Sequence, residues 1–479
     1  MSHHTVTEAP AVQQDREFKP QLTLLDGVML VVGAMIGSGI FIVSADIARN
    51  MGSTGGLLLV WAVTGVITLF GALSYGELAA AMPRAGGQYV FLREGLNPMM
   101  GFLYGWTLFM VIQTGTIAAV AVAFSRFLGV FFPAVSPDVF LSFGQLNLPF
   151  GLGEIELGLS PQRVVGILVI ALLTWVNIRG LREAKWVQNT FTFAKTGALA
   201  ALILLGITIG RNPEAITANF HNMFTGMPSG QALILAFGAA MVGSLFASDA
   251  WNNVTFAAAE VKNPARNLPL ALAIGTGTVT ALYLLANLAY LNVLPLEQLK
   301  NAPQDRVGTL MLQNIFGDVG AYLMAAAILV STFGCINGLI LAGSRVYYAM
   351  AKDRLFFQSV GTLSKHNVPK VALIVQGVWT ALLTLTGTYG QLLDYVIFAA
   401  LIFYALTTLA LFRLRVKKPD MPRPYKAFGY PIVPALYMIA AASIAVILLF
   451  AKPAYSVAGL IVVLLGIPVY FIWRGRTAN

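Results

Sequence analysis

The architecture follows from one run of residues, Val31-Val32-Gly33-Ala34-Met35-Ile36-Gly37-Ser38-Gly39-Ile40-Phe41, inside an apolar segment long enough to cross a bilayer. Three glycines fall within seven positions of this run. Each glycine costs about 1 kcal/mol relative to alanine inside a helix, so an unbroken helix is not expected. A helix that opens here leaves unpaired carbonyls on one side of the break and unpaired N–H groups on the other. A membrane tolerates such backbone only where it lines a cavity or is buried in protein. The run therefore predicts either a ligand site made of main chain or a small-residue face for helix packing.

The composition indicates a polytopic helical membrane protein. Of 479 residues, 57% are hydrophobic and only 10% are charged, whereas soluble proteins have about 25% charged residues. The net charge of +10 does not indicate nucleic-acid binding, because the basic residues form short clusters between apolar segments. The one cysteine, Cys335, lies within an apolar segment. It excludes an intrachain disulfide, and no disulfide-linked subunit is expected.

Apolar runs of about 20 residues predict twelve membrane-spanning helices. Their predicted bounds are 24–49, 55–81, 99–132, 164–178, 187–209, 232–258, 268–293, 319–350, 371–388, 392–414, 432–450 and 454–473. Basic residues follow every second span, while the long connection 133–160 has none. By the positive-inside pattern, both termini are predicted in the cytosol of a multi-pass protein of the plasma (inner) membrane.

Span 6 contains a second weak point, where Ser248, Asp249, Asn252 and Asn253 interrupt the apolar run. An aspartate at membrane depth costs at least about 2.5 kcal/mol, so it must face a cavity or a partner. Spans 1 and 6 occupy matching places in two groups of five helices and cross in opposite directions. Two interrupted helices at such places are typical of an inverted-repeat transporter.

This pairing predicts the domain organisation of an all-α membrane protein. Its parts are a cytosolic arm 1–21, a first repeat 22–210 with helices 1–5, a second repeat 229–414 with helices 6–10, helices 11 and 12 in 431–473, and a cytosolic C-terminus 474–479.

Several motifs carry a resemblance to a known family. They are Gly37-Ser38-Gly39-Ile40-Phe41, Tyr75-Gly76-Glu77-Leu78-Ala79, Met82-Pro83-Arg84-Ala85-Gly86-Gly87-Gln88-Tyr89, Phe246-Ala247 with Trp251-Asn252, the run from Glu260 to Pro269, Phe333-Gly334-Cys335-Ile336-Asn337-Gly338 and Ser344-Arg345-Val346-Tyr347-Tyr348. The chain resembles the amino acid–polyamine–organocation (APC) transporter superfamily over nearly its whole length, and within it the L-type amino acid transporter branch. The resemblance implies the five-plus-five inverted-repeat (LeuT-like) fold first seen in a bacterial leucine transporter, with discontinuous helices 1 and 6 and two extra C-terminal helices.

The two breaks suit the zwitterion that all α-amino acids share. A carboxylate fits N–H groups at the start of a helix, and an ammonium fits free carbonyls at the end of one. The N–H groups of Ser38, Gly39 and Ile40 are therefore predicted to hold the carboxylate. The carbonyls of Ala34, Met35, Ile36, Phe246, Ala247 and Asp249 are predicted to hold the ammonium. The complete predicted set is Ala34, Met35, Ile36, Gly37, Ser38, Gly39, Ile40, Phe246, Ala247, Ser248 and Asp249.

Two residues of span 6 have open roles. The resemblance implies that Phe246 gates the site from outside, whereas a packing aromatic is the alternative. Asp249 stands where the common L-type pattern has glycine, and a branch that accepts cationic amino acids has aspartate there. Its carboxylate has three candidate roles: pairing with a cationic substrate, binding a proton, or capping the second half of span 6.

Lys195 is a second charge at membrane depth, in span 5. It matches a lysine that replaces Na⁺ in sodium-independent relatives, which implies an ammonium directed at carbonyls near Gly33 and at Ser331 or Thr332. Titration of Lys195 coupled to H⁺ transport, and a structural lysine, are the alternatives.

The remaining residues exclude other chemistry. The four histidines lie near the N-terminus or in loops, and the sequence has no phosphate-binding Gly-Lys-Ser/Thr loop and no nucleophile elbow. No enzyme activity, cofactor or metal is therefore expected, although sequence alone leaves a binding-only sensor or a channel open. Glu77 and Arg84 are predicted to set the topology or to form an inner gate with Lys262 and Arg266.

The predicted function is sodium-independent secondary transport of L-amino acids by alternating access. Exchange of neutral amino acids is the main prediction, with cationic ones as an extension. The alternative is a proton-coupled transporter, or an exchanger, of basic amino acids or polyamines.

Overall fold

The computed structural model describes residues 18–147, 154–386 and 389–477. Residues 1–17 of the predicted arm, residues 387–388 at the end of span 9 and residues 478–479 lie outside the described residues. The chain is mostly helical. The helices are α1 (Leu24–Met35), α2 (Val43–Met51), α3 (Thr54–Ala81), α4 (Gln88–Gly95), α5 (Pro98–Thr107), α6 (Gln113–Leu128), α7 (Pro161–Arg179), α8 (Leu181–Ile207), α9 (Pro213–Phe220), α10 (Gly230–Ala247), α11 (Pro264–Val293), α12 (Leu296–Lys300), α13 (Val307–Phe316), α14 (Asp318–Lys352), α15 (Lys370–Thr384), α16 (Tyr389–Lys417), α17 (Ile432–Ala451) and α18 (Pro453–Thr477).

Within these described ranges, ten helical segments are long and apolar enough to cross a membrane. They are α3, α5 continued through a π-helical turn (Leu108–Ile112) into α6, α7, α8, α10, α11, α14, α16, α17 and α18. This confirms a polytopic helical membrane protein. Predicted spans 1 and 9 are not among the ten, because span 1 is divided into short helices and α15 has only 15 residues.

The predicted break in span 1 is present in the backbone. Thr23 caps the start of α1, and its side chain and that of Asp26 bond reciprocally to the other residue's backbone N–H. The helix ends at Met35, and a 3₁₀ turn (Gly39–Phe41) precedes α2. In the left-handed conformation (φ 66°), Gly52 then terminates α2.

Span 6 is interrupted where expected, but its second half is not the α-helix that we predicted to residue 258. The helix α10 ends at Ala247, and Ala250 has a left-handed backbone (φ 64°). Two 3₁₀ turns follow, Trp251–Thr255 and Ala258–Glu260. Asparagine competes with helical bonding through its side chain, and the Asn252 amide donates to the Gln88 side chain (2.7 Å) instead. The polar residues therefore terminate the α-helix, which does not resume within the predicted span.

The connection 133–160 corrects the all-α fold class. It contains an antiparallel pair of strands, β1 (Leu141–Asn147) and β2 (Glu154–Leu159), with Leu141 opposite Leu159 and a register shift at Gly144. Polar and apolar residues alternate along β2 with the period of two that favours a strand. This alternation is too short and too polar to form a long apolar run.

Glu77, a residue of the predicted inner gate, forms ion pairs with residues other than those predicted. The carboxylate of Glu77 pairs with Arg415 (2.6 Å) and Arg423 (3.2 Å), which lie at the end of α16 and in the loop after it. Neither Lys262 nor Arg266 lies within ion-pair distance of Glu77 in the described part of the chain. The loop after α16 folds back onto α3 and supplies nearer cations than the loop after span 6.

Candidate functional site

The two helix breaks face each other at the centre of the helix bundle. The hydroxyl of Tyr283, on α11, donates to the carbonyls of both Met35 and Ala247 at 3.0 Å. A cavity of about 10 Å³ lies between the breaks, which is roughly the room that one water needs. It is lined by Ala34, Met35, Gly37, Ser38, Gly39, Thr116, Val120, Phe246, Ala247, Asp249, Ala250 and Cys335. Eight of the eleven predicted binding residues line it; Ile36, Ile40 and Ser248 do not.

Unpaired N–H groups point to an anion site at the first break. The N–H groups of Gly37, Gly39 and Ile40 donate to no protein acceptor within the described ranges. All three residues are buried, and burying an unpaired donor costs about 1–3 kcal/mol. A negatively charged group bound here would satisfy these N–H groups.

The carbonyls predicted to hold the ammonium are already engaged by side chains. The thiol of Cys335 donates to Ala34 (3.1 Å), and Tyr283 holds Met35 and Ala247. The sequence-based prediction treats these carbonyls as free, whereas each accepts a hydrogen bond from a side chain; their role in holding the ammonium stays a prediction. A carbonyl oxygen has two lone pairs, so each retains one acceptor site.

Lys195 lies behind the first break, on α8. Its Nζ donates to the carbonyls of Gly33 (2.5 Å), Ile36 (2.7 Å) and Ser331 (3.3 Å) and is 1% exposed. The Ser331 hydroxyl also lies near the carbonyls of Ile36 (3.2 Å) and Gly37 (2.9 Å). Lys195 therefore joins α8, the first break and α14 through three neutral oxygens.

Thr332 is not part of this arrangement. Its hydroxyl donates to the carbonyls of Ile328 (2.8 Å) and Leu329 (3.2 Å) on its own helix. Of the two span 8 residues predicted near Lys195, only Ser331 contacts it.

Asp249 lies between the central cavity and a second one of about 20 Å³. The second cavity is lined by Ile67, Thr68, Leu245, Ser248, Asp249, Trp251, Ile397, Ala400, Leu401, Tyr404 and Tyr437. The hydroxyl of Tyr404 donates to the Asp249 carboxylate. Within the described residues, no lysine or arginine pairs with Asp249, and it accepts no N–H group of the turn Trp251–Thr255. The carboxylate does accept the N–H group of Ala250, the residue just before this turn, so the capping role rests on that one hydrogen bond.

Both breaks are shielded from solvent. Phe246 lines the central cavity and is 7% exposed, and Ser248 and Asp249 are 6% exposed. Tyr290 donates to the Ile40 carbonyl (3.2 Å), and α13 packs against the turn Gly39–Phe41.

Sequence reasoning missed Tyr283, Tyr290, Cys335 and Tyr404 as site residues. A signal was present for two of them, because Tyr283 and Tyr290 are seven residues apart and lie on one helix face. A buried tyrosine hydroxyl needs a partner, so two on one face of a membrane span indicate polar backbone opposite.

Replacing Gly39 by alanine tests how closely the two breaks must approach. A Cβ atom there would lie 2.6 Å from the Ala247 Cβ and 2.8 Å from its Cα. Such overpacking costs about 1–3 kcal/mol. We expect Gly39→Ala to lower the thermal unfolding midpoint of the detergent-purified protein, and a second change, Ala247→Gly, to restore part of it. The control is Gly277→Ala, whose Cβ would meet nothing within 4 Å. Equal midpoints for the two alanine variants would contradict the close packing.

Comparison with known proteins identifies the family. The amino acid permease family profile matches residues 22–472. The mouse large neutral amino acids transporter small subunit 2 is 32% identical over 460 residues, covering 95% of this chain and 81% of that protein. The human cystine/glutamate transporter is 30% identical over 468 residues, covering 97% and 87%. The mouse b(0,+)-type amino acid transporter 1 is 27% identical over 479 residues, covering 98% and 90%. The chain therefore belongs to the amino acid permease family, in the L-type branch of the APC superfamily that its motifs resemble, and is a transporter and not an enzyme.

Proposed function

We propose that this chain is a sodium-independent exchanger of L-amino acids that works by alternating access. One observation carries the proposal: the N–H groups of Gly37, Gly39 and Ile40 have no protein acceptor in the described part of the chain, and Gly37 and Gly39 line the small buried cavity between the two breaks. A site built from main chain recognises what all α-amino acids share.

The proposed fold has twelve spans in a five-plus-five inverted repeat, with both termini in the cytosol and the chain in the plasma (inner) membrane. Spans 1 and 9 complete the count, one as the broken pair α1 and α2 and the other as α15. The divisions 22–210, 229–414 and 431–473 belong to this proposal. Its support is the matched interruption of spans 1 and 6.

In the proposed binding mode, the substrate carboxylate accepts the N–H groups of Gly37, Gly39 and Ile40. Its ammonium shares the carbonyls of Met35 and Ala247 with the Tyr283 hydroxyl, which has a single proton to donate between these two oxygens. Phe246, at the end of α10, then closes the outer side. The 10 Å³ cavity must widen to admit a substrate, as alternating access requires.

Counterflow in proteoliposomes tests the function. We expect uptake of labelled leucine or alanine to be stimulated severalfold by unlabelled amino acid inside, with no loss when choline replaces Na⁺. The controls are proteoliposomes without amino acid inside and liposomes without protein. Absence of internally stimulated uptake for every amino acid tried would contradict exchange, and uptake driven by a pH gradient alone would favour the proton-coupled alternative.

Lys195 is proposed to act as a fixed cation in place of Na⁺. Its three acceptors are neutral carbonyls, which also suit a metal cation. A covalently attached cation cannot leave with the substrate, which favours transport without Na⁺.

We expect Lys195→Ala to slow exchange at least about tenfold, because a hydrogen bond to a charged group contributes about 1.5–3 kcal/mol. The matched control is Lys185→Ala on the same helix, which removes a partly exposed lysine paired with Asp26. The measurement is initial-rate counterflow with and without Na⁺. Full activity with unchanged ion dependence would refute the surrogate-ion role.

Asp249 is proposed to select the substrate side chain, because it borders both the central cavity and the second one. The second cavity contains aromatic and aliphatic residues around this single carboxylate. Neutral side chains fit such a lining, and a cationic one gains a charge partner.

We expect Asp249→Asn to reduce exchange of arginine and lysine at least about tenfold relative to leucine, the change expected for one lost charged hydrogen bond. Asparagine caps a helix as well as aspartate, so a capping role predicts no change in the ratio. Tyr404→Phe, which keeps the carboxylate, is the control. Arginine exchange that survives Asp249→Asn untouched would show that Asp249 does not recognise cations.

A disulfide-linked partner is not part of the proposal. The mouse relative is named as a small subunit. Here the single cysteine, Cys335, is 2% exposed and donates to a carbonyl of the first break, so its thiol is out of reach of another chain.

A further inference from the structure

A separate pocket of about 580 Å³ lies at the end of the bundle that the charge pattern predicts to be outside. Its walls come from the end of α6, the start of α7 and the turn before α13. Three arginines line it, Arg126, Arg163 and Arg306, together with Ser136 and Ser160. The positive-inside pattern disfavours arginine on this side, so a cluster of three needs another explanation.

Two of these arginines have donors that no protein group uses. Nη1 of Arg163 donates to the carbonyls of Gly158 (2.8 Å), Leu385 (3.0 Å) and Glu156 (3.3 Å), and its Nε and Nη2 have no acceptor in the described part of the chain. Nη2 of Arg306 donates to the Arg126 carbonyl (3.2 Å) and to the side-chain oxygen of Gln304, and the guanidinium lies over the ring of Phe127. Its Nε is buried without a hydrogen bond.

In the described ranges, carboxylates do not pair with the two arginines that carry these donors, although the charge of Glu156 acts on Arg163 without forming an ion pair. Within the described residues, neither Arg163 nor Arg306 forms an ion pair, and the nearby Asp305 pairs with Arg49 at 2.8 Å. Burial, and to a smaller extent the nearby charge of Arg126, lowers the pKa of Arg306 to about 10. Clustered guanidinium groups with unused donors match the paired oxygens of a carboxylate or phosphate.

We propose that this pocket binds a small oxyanion, a carboxylate or a phosphate, through Arg163 and Arg306. The ligand bridges α7 to the turn that leads into α13. Because α13 packs against the turn Gly39–Phe41, the bound anion holds the outer side of the central site closed. The oxyanion comes either from solution or from an anionic lipid headgroup. The proposal does not depend on which amino acids the central site takes.

The test is equilibrium binding of labelled inorganic phosphate to the full-length protein in nanodiscs of neutral phosphatidylcholine at constant ionic strength. We expect saturable binding to the unchanged protein, displaced by acetate, and at least tenfold weaker binding to Arg306→Gln. The matched control is Arg211→Gln, which removes an exposed arginine of the same predicted face outside the pocket and is expected to bind normally.

Further measurements distinguish an oxyanion from solution from a lipid headgroup and control for misfolding of the variants. Loss of phosphate binding in nanodiscs that contain phosphatidylglycerol would identify a lipid headgroup as the natural occupant and still support the site. Arg306→Lys, which keeps the charge but loses the planar fork, is expected to bind with intermediate affinity. Absence of saturable phosphate binding to the unchanged protein, or equal affinity in the Arg306→Gln and Arg211→Gln variants, would overturn the proposal.

Discussion

The ammonium group of Lys195 makes an open helix compatible with the interior of a membrane. A break in span 1 leaves carbonyls that no helical N–H group reaches, and each would be costly to bury unpaired. The lysine has three protons and finds three carbonyls, those of Gly33, Ile36 and Ser331. The charge and the backbone therefore stabilise each other: the carbonyls solvate a cation that has no carboxylate partner in the described part of the chain, and the cation pairs oxygens that a broken helix exposes. A neutral side chain supplies fewer donors and weaker hydrogen bonds, so the break depends on this residue.

The same constraint explains why side chains occupy the carbonyls of the site. With Tyr283 held by Met35 and Ala247, and Cys335 by Ala34, the breaks remain hydrogen-bonded without a substrate. In the proposed binding mode, the substrate ammonium exchanges one set of hydrogen bonds for another and gains only the difference in their free energies. The N–H groups of Gly37, Gly39 and Ile40 differ from these carbonyls, because no acceptor in the described part of the chain pairs with them. On this account the carboxylate contributes most of the binding free energy and the ammonium mainly fixes the orientation. A transporter benefits from this arrangement, since a site that binds too tightly releases its substrate slowly.

The sequence was informative where the cause is local. Gly37 and Gly39 weaken a helix through their own backbone, and the break falls there. Lys195 needed partners at its depth in the span. The end of span 6 was harder to predict, since Asn252 leaves the helix to bond Gln88, 164 residues away in sequence. The same reason applies to Glu77, whose partners Arg415 and Arg423 are brought near by a loop that folds back after α16. The strand pair after α6 was locally visible as an alternating pattern, but apolar-run criteria ignore a period of two. A single sequence does not reveal hydrogen-bond and ion-pair partners that only tertiary folding brings together.

On the side that the charge pattern predicts to be cytosolic, Glu260 makes contacts that an alternating-access cycle has to break. The Glu260 carbonyl accepts the N–H groups of Gln21 and Leu22 at 2.8 Å, while its carboxylate holds Arg345 at 2.7 Å. One residue thus joins the segment before α1 to α14. Both charges are almost fully buried, and separating such a pair in a dry environment costs about 3–5 kcal/mol. Hydrating both ions as they separate removes much of that cost. In the proposed alternating-access cycle, opening on this predicted cytosolic side therefore requires water to reach Glu260 and Arg345 as they separate, so hydration of the exit path comes before its widening.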